Sequence, residues 1–161
     1  MDIKKNTPTA LIISLTVFFL FGCVSVPLAS KDADMAAKQF ISDPDNASVY
    51  IYRKFSTYGL IVAYPVYVDG KYVGKLKVGS FFMLTLPPGE HDVWVDGADV
   101  KSLNKKYYFP LTVEAGEIYI IEQTAVTART PKLAFKENRE GMEAVRKCDL
   151  MEVEAIKGPG L

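Results

Sequence analysis

Histidine, cysteine and charge imbalance are what this chain has least of, and each shortage removes a class of function. The 161 residues include one histidine, two cysteines and one tryptophan, and 19 Lys plus Arg are matched by 19 Asp plus Glu. A structural zinc site draws on Cys and His, and too few of either are present. A formal charge of zero provides no basic field for nucleic acid and no acidic tail. The glycine-rich phosphate loop, the nucleophile elbow and the HExxH helix are all missing. His91 follows directly on the turn Pro88-Gly89-Glu90, where a solvated turn residue is the expectation. Asp69, Asp92, Asp96 and Asp99 fall at turns and strand ends, where Asp is favoured for backbone reasons. An envelope hydrolase would require Asp69, Asp92, Asp99 and His91 to converge in one cleft. The composition points instead to a non-enzymatic protein with no metal and no dissociable cofactor.

What is present begins with an address. Lys4 and Lys5 precede an apolar run from Ala10 to Gly22, the layout of a secretory signal. Leu20-Phe21-Gly22-Cys23 closes that run and resembles a bacterial lipobox. The resemblance implies a diacylglyceryl group on the Cys23 sulfur, acyl chains as the only bound groups, and Cys23 as the first mature residue. Two or more acyl chains anchor stably, at ~0.8 kcal/mol per buried methylene. An uncleaved membrane helix over about residues 10–29 is the alternative, weakened by Gly22, Ser25 and Pro27. Both readings export everything after Cys23. Val24, rather than Asp, follows the anchor residue, which implies the periplasmic face of the outer membrane. Acylation leaves Cys148 as the lone thiol, expected to be buried; without acylation a Cys23–Cys148 bridge stays open.

The division expected is a signal peptide over 1–22, a lipidated Cys and flexible tether over 23–46, a β domain over 47–156 and a frayed tail over 157–161. Within the tether, Asp32 to Phe40 suits a short helix with Asp32 as its N-cap. Beyond Asn46, runs rich in Val, Ile, Tyr and Phe recur at the spacing of an all-β, antiparallel sandwich of about seven strands. They are Ser48–Arg53, Ile61–Val68, Lys71–Val78, Phe81–Leu86, Asp92–Val95, Lys106–Val113 and Glu117–Gln123. Asp69-Gly70 suits a type I′ hairpin turn, and Pro88-Gly89 a type II turn. Pro65 cannot donate to a ladder, so its strand is expected at an edge or bulged. Alternation makes Leu76 with Val78, Phe82 with Leu84 and Leu86, and Ile118 with Ile120 core rows. One short C-terminal helix is expected over Glu140–Cys148, followed by an extended segment over Leu150–Ile156.

Aromatics are the functional lead. Tyr50 and Tyr52 share one strand face and Trp94 has the parity of Asp92 and Asp96, so an exposed row is a candidate binding face. The same residues also fill sandwich cores, and that reading competes. SVYIYR (Ser48–Arg53), VYVDGKYVGKL (Val66–Leu76) and FFMLTLPPGEH (Phe81–His91), together with Cys23 and Ala47, resemble a bacterial lipoprotein family catalogued as domain of unknown function 2846. VDGKYVG with LPPGEH is also similar to the PEGA-type surface β-module. The resemblance implies architecture and an envelope location, with no catalytic residues. A lipid-anchored binding or scaffolding module with an envelope protein partner is the expectation. A carbohydrate- or peptidoglycan-binding module is the alternative, and nucleic acid is not expected.

Overall fold

The computed structural model describes residues 27–57, 59–97, 108–127 and 130–154. The lipobox residues Leu20, Phe21, Gly22 and Cys23, the frayed tail and Asp99 lie outside the described residues. Two sheets pack face to face as an all-β sandwich. Strands β1 (Ala47–Arg53), β4 (Ser80–Leu86), β7 (Ile118–Thr127), β8 (Thr130–Phe135) and β9 (Asp149–Leu150) form one sheet, in the order β8-β7-β1-β4-β9. Strands β2 (Tyr64–Val68), β3 (Lys71–Leu76), β5 (Gly89–Val95) and β6 (Phe109–Val113) form the other, in the order β3-β2-β5-β6. Helices α1 (Lys31–Ala37) and α2 (Asn138–Val145) complete the elements.

Each of the seven expected runs holds a strand, because each combines β-branched and aromatic residues between turn formers. The Asp69-Gly70 turn has φ of 49° and 79°, the two positive values a type I′ hairpin demands. Two pairings are parallel, β1 with β7 and β4 with β9, so the five-stranded sheet is mixed. A parallel neighbour needs a crossover and leaves no hairpin signal in sequence. β8 was not among the expected strands because Pro131 and Lys132 dilute its pattern. It is an edge strand, and the ladder is irregular between Ala125 and Thr127, close to Pro131.

β1 is buried along its whole length. Val49 and Ile51 point between the sheets, with Val66, Phe82, Val93 and Ile121. Tyr50 and Tyr52 point the other way, into a second apolar layer with Phe40, Phe81, Val145 and Cys148 beneath the helices. Ile120 belongs to that second layer, whereas Leu76, Phe82 and Leu84 join the first. α2 lies so close to β7 that a Cβ on Gly141 would stand 2.6 Å from Ile120 Cγ2.

Three local expectations are corrected. The stretch expected to be a flexible tether is docked from residue 27 on: Ala29 N donates to Leu150 O, Glu152 N to Pro27 O and Leu150 N to Asp34 Oδ1. Its helix is capped by Ser30, whose hydroxyl accepts from Ala33 N at 3.2 Å, and not by Asp32. Of the two outcomes expected for the strand holding Pro65, an edge or a bulge, the structure has the irregular ladder: β2 is internal, between β3 and β5, and its pairing with β3 shifts register at Val66/Tyr67. Pro65 is tolerated there because it lies just past the paired stretch of β5, where its carbonyl accepts from Asp96 N. β2 also starts at Tyr64 rather than Ile61, since residues 59–62 close a turn in which Val62 N donates to Gly59 O.

Candidate functional site

Val68, Val73, Leu84, Leu86 and Val153 wall an apolar cavity of about 460 Å³ at one end of the sandwich, with Asp69, Lys71, Thr85, Pro87 and His91 among its lining. That volume falls in the ~300–1,000 Å³ range of small-ligand pockets. The cavity exists because β9 is only two residues long and leaves the far half of β4 without a neighbour on that side. Met83 also contributes to the lining.

The polar part of the lining is held rigidly. His91 Nδ1 donates to Asp69 Oδ2 at 2.6 Å, and Nε2 donates to Pro87 O at 2.8 Å. Asp69 is itself fixed, accepting from Asp92 N through Oδ1 at 2.9 Å while its own N donates to Asp92 O. Pro87 O and an ionised Asp69 carboxylate can only accept, so the charged ring is the form that satisfies both bonds. Burial opposes the charged ring, yet the bonds to Asp69 and Pro87 outweigh it and hold the imidazole above its ordinary pKa. So engaged, both ring nitrogens are turned toward protein atoms, Asp69 Oδ2 and Pro87 O.

Tyr50 and Tyr52 are each 0% exposed and Trp94 is 6% exposed, which corrects the expected aromatic face. The two tyrosines lie under the helices, where Tyr50 Oη donates to Ala37 O at 2.8 Å. Trp94 belongs to the other sheet, in a ladder with Tyr67 (centroids 5.0 Å, planes 6° apart) and Tyr108 (4.6 Å, 9°). Tyr72 extends the ladder at 5.4 Å from Tyr67. The indole is therefore stacked between two tyrosines and offers a sugar ring no free face of its own.

A second polar cluster joins Glu122 to Lys54 (3.2 Å) and Lys136 (2.9 Å), with Glu140 at the margin. Its charges neutralise one another across β7 and α2. Among the described residues no group of His, Cys, Asp and Glu is arranged to hold a metal ion, and no helix is long and apolar enough to cross a membrane.

Of the four residues whose convergence a hydrolase would require, Asp69 and His91 meet in this cavity, Asp92 touches Asp69 only through its backbone and Asp99 lies outside the described residues, while sequence reasoning missed Lys71, Thr85, Leu86 and Val153 as lining. No local signal marks a contact made between two sheets. The family described as "Protein of unknown function (DUF2846)" matches residues 43–136. The chain belongs to this family. An "Uncharacterized protein" of Haemophilus influenzae is 35% identical over 92 residues, covering 56% of this chain and 54% of the relative. The chain thus spans about half the length of the curated relative it matches. The matched region of this DUF2846 member contains β1 to β8, including Asp69 and His91, and stops before α2 and β9.

Proposed function

We propose that this DUF2846 protein is an envelope lipoprotein, anchored through acyl chains on Cys23, that acts as a non-enzymatic binding module. Its site is the end cavity, which accepts an apolar group. Lys71 and the His91–Asp69 pair meet the polar part of the same ligand or partner. The observation that carries the reading is the combination of apolar walls with a His whose two nitrogens are already committed. Such a site is shaped for binding, and its histidine turns both nitrogens to protein atoms. The hydrolase alternative is supported by the meeting of Asp69 and His91 but would need a base other than the doubly bonded His91, and the carbohydrate alternative loses the platform expected of Tyr50, Tyr52 and Trp94. An outer-membrane location on the periplasmic side follows from Val24 after the anchor residue.

Titration with N-phenyl-1-naphthylamine, a fluorescent apolar probe, tests the site. Saturable enhancement by the native chain, lost in Leu86→Trp with an unchanged circular dichroism spectrum, is the expected result. Absence of saturable binding, or full retention in Leu86→Trp, rejects the cavity as the site. Incorporation of labelled palmitate by the native chain and not by Cys23→Ala tests the anchor.

A further inference from the structure

The β1–β2 connection presents large apolar side chains to solvent in a fixed arrangement. Phe55 is 71% exposed, Leu60 50% and Ile61 98%. The loop does not collapse onto the domain, because Arg53 braces it from below. Arg53 Nη1 donates to Val62 O at 2.7 Å and Nη2 to Gly59 O at 3.3 Å, while the guanidinium lies 4.8 Å from the Tyr64 ring centroid. A buried cation is costly unless its donors are used, and here they are spent on holding loop carbonyls inward and the side chains of Leu60 and Ile61 outward.

The patch extends beyond the loop. A Cβ on Gly79 would stand 3.6 Å from Phe55 Cδ2, so Phe55 rests against the β3–β4 turn. Pro27 and Leu28 border a shallow depression with Lys77, Val78, Gly79 and Ser80 of that same turn, and Leu28 is 55% exposed. Leu28 and Phe55 therefore border one turn, whose Gly79 N donates to the carbonyl of Arg53, the residue that braces the loop carrying Leu60 and Ile61. Exposed apolar clusters of this kind mark interaction surfaces.

The occupant follows from where the chain goes next. Cys23 is four residues before Pro27, a reach of at most ~14 Å for an extended chain. On the reading of Cys23 as the acylated residue, on which this step rests, the bilayer surface lies within that distance of the patch. We infer that Leu28, Phe55, Leu60 and Ile61 dip into the interfacial layer of the bilayer that holds the anchor, and so fix the domain's orientation. Ala47, at the start of β1, pairs with Leu86 of the cavity, and Arg53, at its end, leads into the loop. The six steps between them span ~20 Å. Immersion of the loop thus turns the far end of the cavity away from the lipid, toward a partner.

The test uses the full acylated chain reconstituted into vesicles of phosphatidylethanolamine and phosphatidylglycerol. Cysteine is introduced as Ile61→Cys or, at the β6–β7 turn by the opposite end of β1, as Ala115→Cys, and labelled with an environment-sensitive nitrobenzoxadiazole. Buried Cys148 does not compete for the label. The expected result is a blue-shifted emission quenched by nitroxide-bearing lipid for position 61, and neither effect for position 115. Flotation with the vesicles combined with identical behaviour at both positions overturns the loop inference and leaves the anchor standing. A chain that does not float overturns both. A blue shift at position 61 in native membranes, absent in pure lipid, assigns the patch to a protein partner and overturns the inference.

Discussion

Asp69 and His91 are 22 residues apart in the chain and 2.6 Å apart in space, and their contact clamps the β2–β3 turn to the first half of β5. The clamp sits at the cavity and reaches a third segment through Pro87 O. A hairpin turn read from Asp69-Gly70 thereby becomes one wall of a site.

The clamp is pH-dependent in one direction. The folded-state pKa of His91 is raised, so its contribution to stability is full below the unfolded value of ~6.5 and is lost as pH rises through the folded value. The chain has one histidine, so a single imidazole resonance followed by NMR reports the titration. Asp69→Asn is expected to move its midpoint down. A midpoint unchanged in Asp69→Asn would show that the pair is not coupled.

Gly141→Ala inverts the usual helix rule. Alanine in place of glycine favours an exposed helix by ~1 kcal/mol, but here the new methyl meets Ile120 Cγ2 at 2.6 Å. Overpacking of this sort costs about 1–3 kcal/mol, so urea denaturation should show net destabilisation. Pairing the change with Ile120→Ala should cost less than the sum of the two single changes.

Tyr50→Phe removes the hydroxyl that bonds Ala37 O and leaves that carbonyl without the bond. A loss of about 1 kcal/mol is expected, read as a lower urea midpoint with an unchanged slope. Amide exchange should quicken in α1 before it does in β1.

Arg53→Met keeps the apolar stem and removes the brace on Gly59 O and Val62 O. Limited proteolysis should then cut within residues 54–63 well before the remainder of the domain is digested. Cleavage at the native rate would show that the guanidinium does not order the loop.

Burial pushes the Cys148 thiol up to about 11, and its Sγ donates to Ala144 O at 3.4 Å. Iodoacetamide at pH 8 should leave it unmodified in the folded chain and alkylate it promptly in urea. Iodide should likewise quench Trp94 weakly, because the indole is enclosed by Tyr67 and Tyr108.

Sequence alone determined seven of the nine strands among the described residues, the Asp69-Gly70 hairpin and the sandwich, since period-two alternation and turn chemistry act over a few residues. Leu76, Phe82 and Leu84 were legible as core for that reason. The proposal that Cys23 is acylated rests on sequence as well, because a signal of that kind is a linear string. Tertiary structure alone decided that Tyr50 and Tyr52 lie under helices and that Trp94 is stacked on both faces, because alternation separates two faces without saying what covers either one. The parallel pairing of β1 with β7, the gap left by a two-residue β9, and the meeting of Asp69 with His91 likewise depend on contacts between segments distant in sequence. No window of neighbouring residues records them.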